Sequence, residues 1–84
     1  MKYYVYILRC SDTTLYTSYT DDVEKRLALH NEGKISKYTS TRLPCELVFK
    51  KEYSTKHTAM MDACIIKQLP KDQKEALVRG NKGD

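Results

Sequence analysis

Tyr3-Tyr4-Val5-Tyr6-Ile7-Leu8, followed by Arg9, decides the fold of this chain. Aromatic and β-branched side chains dominate the stretch, which is strand composition. It is apolar on both of its alternating faces, so this strand belongs in the middle of a sheet, covered on each side. Ser11-Asp12-Thr13 is a polar break. Strand composition resumes over residues 14–17, which predicts a β-hairpin. Its turn has no Gly, although tight hairpin turns favour residues that tolerate positive φ.

Beyond the hairpin, Thr20-Asp21-Asp22 offers helix caps, and Glu24 stands three residues after Asp21, close to a capping box. Val23, Leu27 and Ala28 supply an apolar stripe and Gly33 a stop, which predicts a helix over 22–32. Residues 34–44 are polar and basic without periodicity and read as a loop. Leu47-Val48-Phe49 marks a third strand, Glu46–Tyr53. Ser54 or Thr55 can cap a helix over 55–68, whose Ala59, Ala63 and Ile66 stack at helical spacing. Pro70 ends it, and Ala76-Leu77-Val78 predicts a short helix over 71–79. The expected fold is α/β (α+β): a small, mostly antiparallel three-stranded sheet flanked by helices, in the order ββαβαα. One domain is expected over residues 1–79, with 80–84 as a frayed tail.

The chain has 84 residues, 40% apolar and 31% charged, which fits a globular domain. No apolar run is long enough to span a membrane, and the N-terminus lacks the features of a signal peptide. Cys10, Cys45 and Cys64 are scattered with no Cys-x-x-Cys pair, which argues against a zinc knuckle and a disulfide framework. A reducing cytoplasm is the simplest setting. The formal net charge of +4 favours polyanionic partners, nucleic acid first among them, though the excess is modest for a dedicated binder.

Tyr6 and Tyr16 lie ten positions apart, and Arg26 and His30 are spaced i, i+4 on the first helix, so they project from one side of it. Two phenols, a guanidinium and an imidazole suit the handling of a phosphodiester. Each also has a purely structural use. The tyrosines can be core aromatics with hydroxyls at the sheet edge. Arg26 can pair with Asp22 on the helix surface, and His30 can be an ordinary surface residue.

Tyr4-Val5-Tyr6, the spacing of ten to Tyr16-Thr17-Ser18, and then Arg26 and His30 resemble the GIY-YIG nuclease domain, in particular its small single-domain bacterial subfamily. The likeness covers about residues 2–79 and continues through Gly33, Lys37-Tyr38-Thr39, Arg42-x-Pro44 and Leu47-Val48. It implies a divalent-metal-dependent endonuclease, a hydrolase of nucleic-acid phosphodiesters with DNA ahead of RNA, in a cytoplasmic setting such as DNA repair. Tyr6 and Tyr16 would place and activate water or steady the phosphate, Arg26 would neutralise phosphoryl charge, and His30 would act as general base or phosphate contact. Tyr19, Lys37, Tyr38 and Arg42 would contact the nucleic acid.

The same resemblance exposes departures. The family's metal-binding Glu falls at Ala63, which cannot hold Mg²⁺ or Mn²⁺, because hard ions demand oxygen ligands. Asp62 is a weak substitute, turned about 100° away along the helix. Asp12-Thr13 replaces the usual Asp-Gly of the turn, Ser18 takes a glycine place, and Ile35 stands where a further glycine is common. Metal loss would remove several kcal/mol of transition-state stabilisation, about what a Lewis acid supplies. The expectation is an attenuated endonuclease that needs Mg²⁺ or Mn²⁺ where active and has no cofactor otherwise. The alternatives are an inactive nucleic-acid-binding module and a protein adaptor on the same scaffold.

Overall fold

A computed structural model describes residues 2–33 and 43–80 of the chain. The elements are β1 (Tyr3–Arg9), β2 (Leu15–Thr20), α1 (Val23–Asn31), β3 (Glu46–Tyr53), α2 (Lys56–Lys67) and α3 (Lys71–Gly80). The strands form one antiparallel sheet in the order β2-β1-β3, so β1 is central as its two apolar faces require.

Alternation along β1 divides the core. Val5 and Ile7 point to one face and pack with Phe49, Ala59, Ala63 and Ile66, backed by Leu77 and Val78 of α3. Tyr6 and Leu8 point to the other and pack with Val23, Cys10 and Cys45, backed by Leu27 of α1. Helix α1 therefore covers one side of the sheet, and α2 and α3 the other. The stripe expected for α2 is present, with Ala59, Ala63 and Ile66 all buried. A register shift between Ile7 and Leu8 against β3 pairs Ile7 with Phe49 and Leu8 with Leu47. The extra residue, Val48, lets Leu47 face α1 while Phe49 faces α2.

Three local expectations need correction. Strand β2 runs to Thr20 rather than stopping at Thr17, because its pairing with β1 continues through Thr20 opposite Tyr4. The α1 cap is Asp22, whose side chain accepts from the Lys25 amide at 3.1 Å. That puts Lys25, not Glu24, three residues on, and no reciprocal capping box forms. Ala28 is exposed, and the α1 stripe is instead Val23, Leu27 and His30.

The hairpin turn closes with Thr13 N–H donating to the Cys10 carbonyl and Cys10 N–H to the Thr14 carbonyl, both at 2.9 Å. Without Gly, Thr13 itself takes φ 70°, steadied by Asp12, whose carboxylate accepts from the Thr14 amide and hydroxyl. Gly33, at φ 76°, terminates α1 as expected. Two side-chain clamps fix the layers. Asn31 bonds both the N–H and the carbonyl of Cys45, tying α1 to the start of β3. Arg9 grips Glu75 of α3 in a bidentate pair at 2.8 and 2.9 Å.

Candidate active site

Tyr6 faces Ser18 across β1 and β2, and Leu8 faces Tyr16. Tyr6, Tyr16 and Ser18 thus share the sheet face covered by α1, with the two tyrosines on a diagonal. His30 descends onto them from the last turn of α1. Its Nε2 lies 3.1 Å from the Tyr6 hydroxyl oxygen, and its ring meets Tyr6 and Tyr16 edge-on at centroid distances of 6.1 and 5.1 Å. His30 is 0% exposed and Tyr6 1%.

Burial, and after it the Arg26 guanidinium, hold the His30 imidazole below its ordinary value. It is therefore neutral at pH 7. Burial also raises the Tyr6 phenol, reinforced by Tyr16 and opposed by the Ser18 hydroxyl and by Arg26. A phenol that keeps its proton beside a neutral imidazole makes a donor–acceptor couple shielded from water.

Arg26, one turn before His30, is exposed and stands at the rim of a cleft of about 390 Å³. Tyr3, Ser18, Tyr19, Thr20, Asp21 and Lys56 complete its lining. The cleft wraps the free edge of β2. Ser18 and Thr20 belong to the α1 side of the sheet, Tyr3 and Tyr19 to the α2 side, and Lys56 is the first residue of α2. Ser18 belongs to both regions, lining the cleft and touching the phenol behind it.

Tyr6, Tyr16 and His30 thus come together, and Arg26 acts electrostatically on two of them while lining the cleft in front. Tyr19 also lines the cleft. Lys37, Tyr38 and Arg42 lie outside the described residues. Sequence reasoning missed Lys56 and Tyr3. Lys56 was discoverable only by asking which end of α2 meets the β2 edge, a question of packing rather than of motif.

The cleft does not suit a divalent cation. Ala63 is 1% exposed among Val5, Ile7 and Phe49 and does not line it. Asp62 accepts a hydrogen bond from the Tyr53 hydroxyl. Thr17 turns a buried hydroxyl without a hydrogen-bond partner to the α2 side, a single neutral oxygen. Among the described residues no group of three or more His, Cys, Asp or Glu side chains could hold an ion together. Among the described residues the one carboxylate at the cleft is Asp21, which shares it with two cationic side chains.

The family model of the GIY-YIG catalytic domain matches residues 2–77. A UPF0213 protein of Staphylococcus haemolyticus is 47% identical over 92% of this chain and 94% of its own length. A UPF0213 protein of Natronomonas pharaonis is 46% identical over 96% and 95%. The solution NMR structure of the UPF0213 protein BH0048 from Bacillus halodurans superposes with a TM-score of 0.64 at 42% identity, over 99% of this chain and 88% of that one. That of protein EF2693 from E. faecalis gives 0.64 at 32% identity, over 95% and 85%. No helix among the described residues is long and apolar enough to cross a membrane. This chain belongs to the GIY-YIG nuclease-type family, alongside the UPF0213 proteins.

Proposed function

We propose that this chain engages nucleic-acid phosphodiesters, DNA ahead of RNA, at the β2-edge cleft, and that it is an attenuated endonuclease. The observation that carries this reading is the buried Tyr6–His30 couple set behind a cleft lined by Arg26, with Ala63 in the place of the acid. The catalytic roles fall to Tyr6, Tyr16, Arg26 and His30, with Tyr19 as a nucleic-acid contact. Arg26 meets the phosphate and His30 is the internal proton acceptor, reached through Tyr6. The three cysteines, all free thiols, suit a reducing cytoplasm.

A plasmid-nicking assay in Mg²⁺ or Mn²⁺ tests the reading. Wild type should nick weakly or not at all, and Tyr6→Phe and Arg26→Ala should abolish any nicking that remains. Robust wild-type cleavage that needs Tyr6 and Arg26 would refute attenuation. No nicking by the wild type, together with retained DNA binding, favours the inactive binding module.

The adaptor reading has one observation of its own. Met60, Met61 and Ile65 leave an apolar outer face on α2, 42 to 57% exposed. Nucleic-acid affinity that is absent, or indifferent to salt, would favour it.

A further inference from the structure

We infer that the β2-edge cleft holds a phosphodiester directly between Arg26 and Lys56, with no divalent ion between protein and phosphate. The inference rests on the nucleic-acid reading above and specifies how its site works. In a metal-dependent site a dication bridges carboxylate and phosphate. Here, among the described residues, the lining carries one carboxylate and two cations, the reverse of a dication's donor set.

The cations come from different elements on opposite sides of the sheet, so they approach the cleft from two directions. Arg26 projects from α1 and Lys56 from α2. Neither takes part in an ion pair among the described residues, where the pairs are Lys2–Glu52 and Arg9–Glu75. Both are exposed, so their charge is available to a ligand. Ser18, Thr20, Tyr3 and Tyr19 add hydroxyl groups that can donate to phosphate oxygens.

An adjoining hollow shares Thr20, Asp21 and Arg26 and adds Lys25. Arg26 therefore serves two neighbouring depressions, one with Lys56 and one with Lys25. That suits an extended chain of phosphates rather than a single ion. Asp22, which also lines the second hollow, is committed to the Lys25 amide as the α1 cap. The Arg26 fork offers paired donors to one phosphate, while Lys56 acts as a point charge.

The experiment is fluorescence anisotropy with a labelled single-stranded DNA oligonucleotide, in EDTA and in Mg²⁺, across a salt series. Wild type should bind equally in both buffers, within about twofold. Lys56→Ala should weaken binding about fivefold or more and lower the log–log salt slope by about 0.7, the loss of one single-strand phosphate contact. Lys71→Ala, an exposed charge on α3, should do neither. Binding that requires Mg²⁺, or a folded Lys56→Ala protein that binds as wild type does, overturns the inference. Inorganic pyrophosphate, followed by amide NMR shifts in EDTA, separates the two readings. If the oligonucleotide fails but pyrophosphate shifts the Thr20, Arg26 and Lys56 amides, the anion site stands and the nucleic-acid reading falls. If pyrophosphate shifts none of them and the oligonucleotide also fails, both fall.

Discussion

The Tyr6 hydroxyl and His30 Nε2 meet at 3.1 Å inside the core, one from the central strand and one from the covering helix. This contact makes a functional candidate and a packing element out of the same pair. It also gives the fold a definite response to acid. Burial and Arg26 place the folded-state His30 value below the ordinary one, so the unfolded chain binds its proton more readily. The His30 contribution to stability should be constant above pH 7 and fall as pH drops through about 6.5 toward the depressed folded value. Glu75, held low by its bond to Arg9, is lost in a separate and lower window, as pH falls below the usual carboxylate range. Urea denaturation at pH 7.5, 6.0 and 5.0 checks this. A midpoint unchanged between pH 7.5 and 5.0 would contradict the burial of a neutral imidazole.

Removing the phenol oxygen isolates the same contact. Tyr6→Phe keeps the ring among Leu8, Val23 and Cys45 but leaves His30 Nε2 without its hydroxyl partner in a dry core. A buried polar group deprived of its partner costs about 1–3 kcal/mol. The variant should unfold at correspondingly lower urea with an unchanged m-value. Tyr16→Phe, at a half-buried position, should cost less than Tyr6→Phe. The reverse order would move the structural centre of the site to Tyr16.

Much of this was legible in the residues, because the strongest signals were two-sided apolarity and motif spacing. The run from Tyr3 to Leu8 could only be a covered central strand, and the spacing from Tyr6 to Arg26 and His30 named the family. Burial of His30 was not legible, since a histidine counts as polar in any stripe. Here it replaces an aliphatic residue in the series Val23, Leu27, His30, so apolar periodicity alone puts the exposed Ala28 in its place beside Val23 and Leu27. The place of Lys56 in the cleft was hidden for another reason. Its neighbours in the cleft lie between 30 and 53 positions away in sequence, so no local pattern reports it.

The hairpin turn provides a stability test apart from the site. Thr13 is exposed and holds φ 70°, a region that costs a β-branched residue about 1–2 kcal/mol. Glycine removes that cost but adds unfolded-state freedom worth about 0.5–1 kcal/mol. Thr13→Gly should therefore stabilise the protein by about 0.5–1 kcal/mol, read as a higher urea midpoint. It should leave oligonucleotide binding unchanged, because the turn does not line the cleft. A loss of stability would mean that the turn relaxes to another geometry.

The three thiols should separate cleanly by reactivity. Cys64 lies exposed on α2, whereas Cys10 and Cys45 are buried against each other with sulfurs 3.7 Å apart. Burial, and next the hydrogen bond with Cys10, push the Cys45 thiol up to about 11, so almost no thiolate forms there near neutral pH. The backbone around Cys45 is further held by Asn31, which bonds its N–H at 2.7 Å. Native protein treated with iodoacetamide at pH 7.5 should take up label at Cys64 alone, while urea-unfolded protein labels at all three. Asn31→Ala removes the clamp between α1 and β3 and should speed labelling of Cys45 without changing that of Cys64. Peptide mass mapping over time reads both rates, and labelling of Cys45 as fast as Cys64 in the wild type would show that the β1–β3 end of the sheet is open.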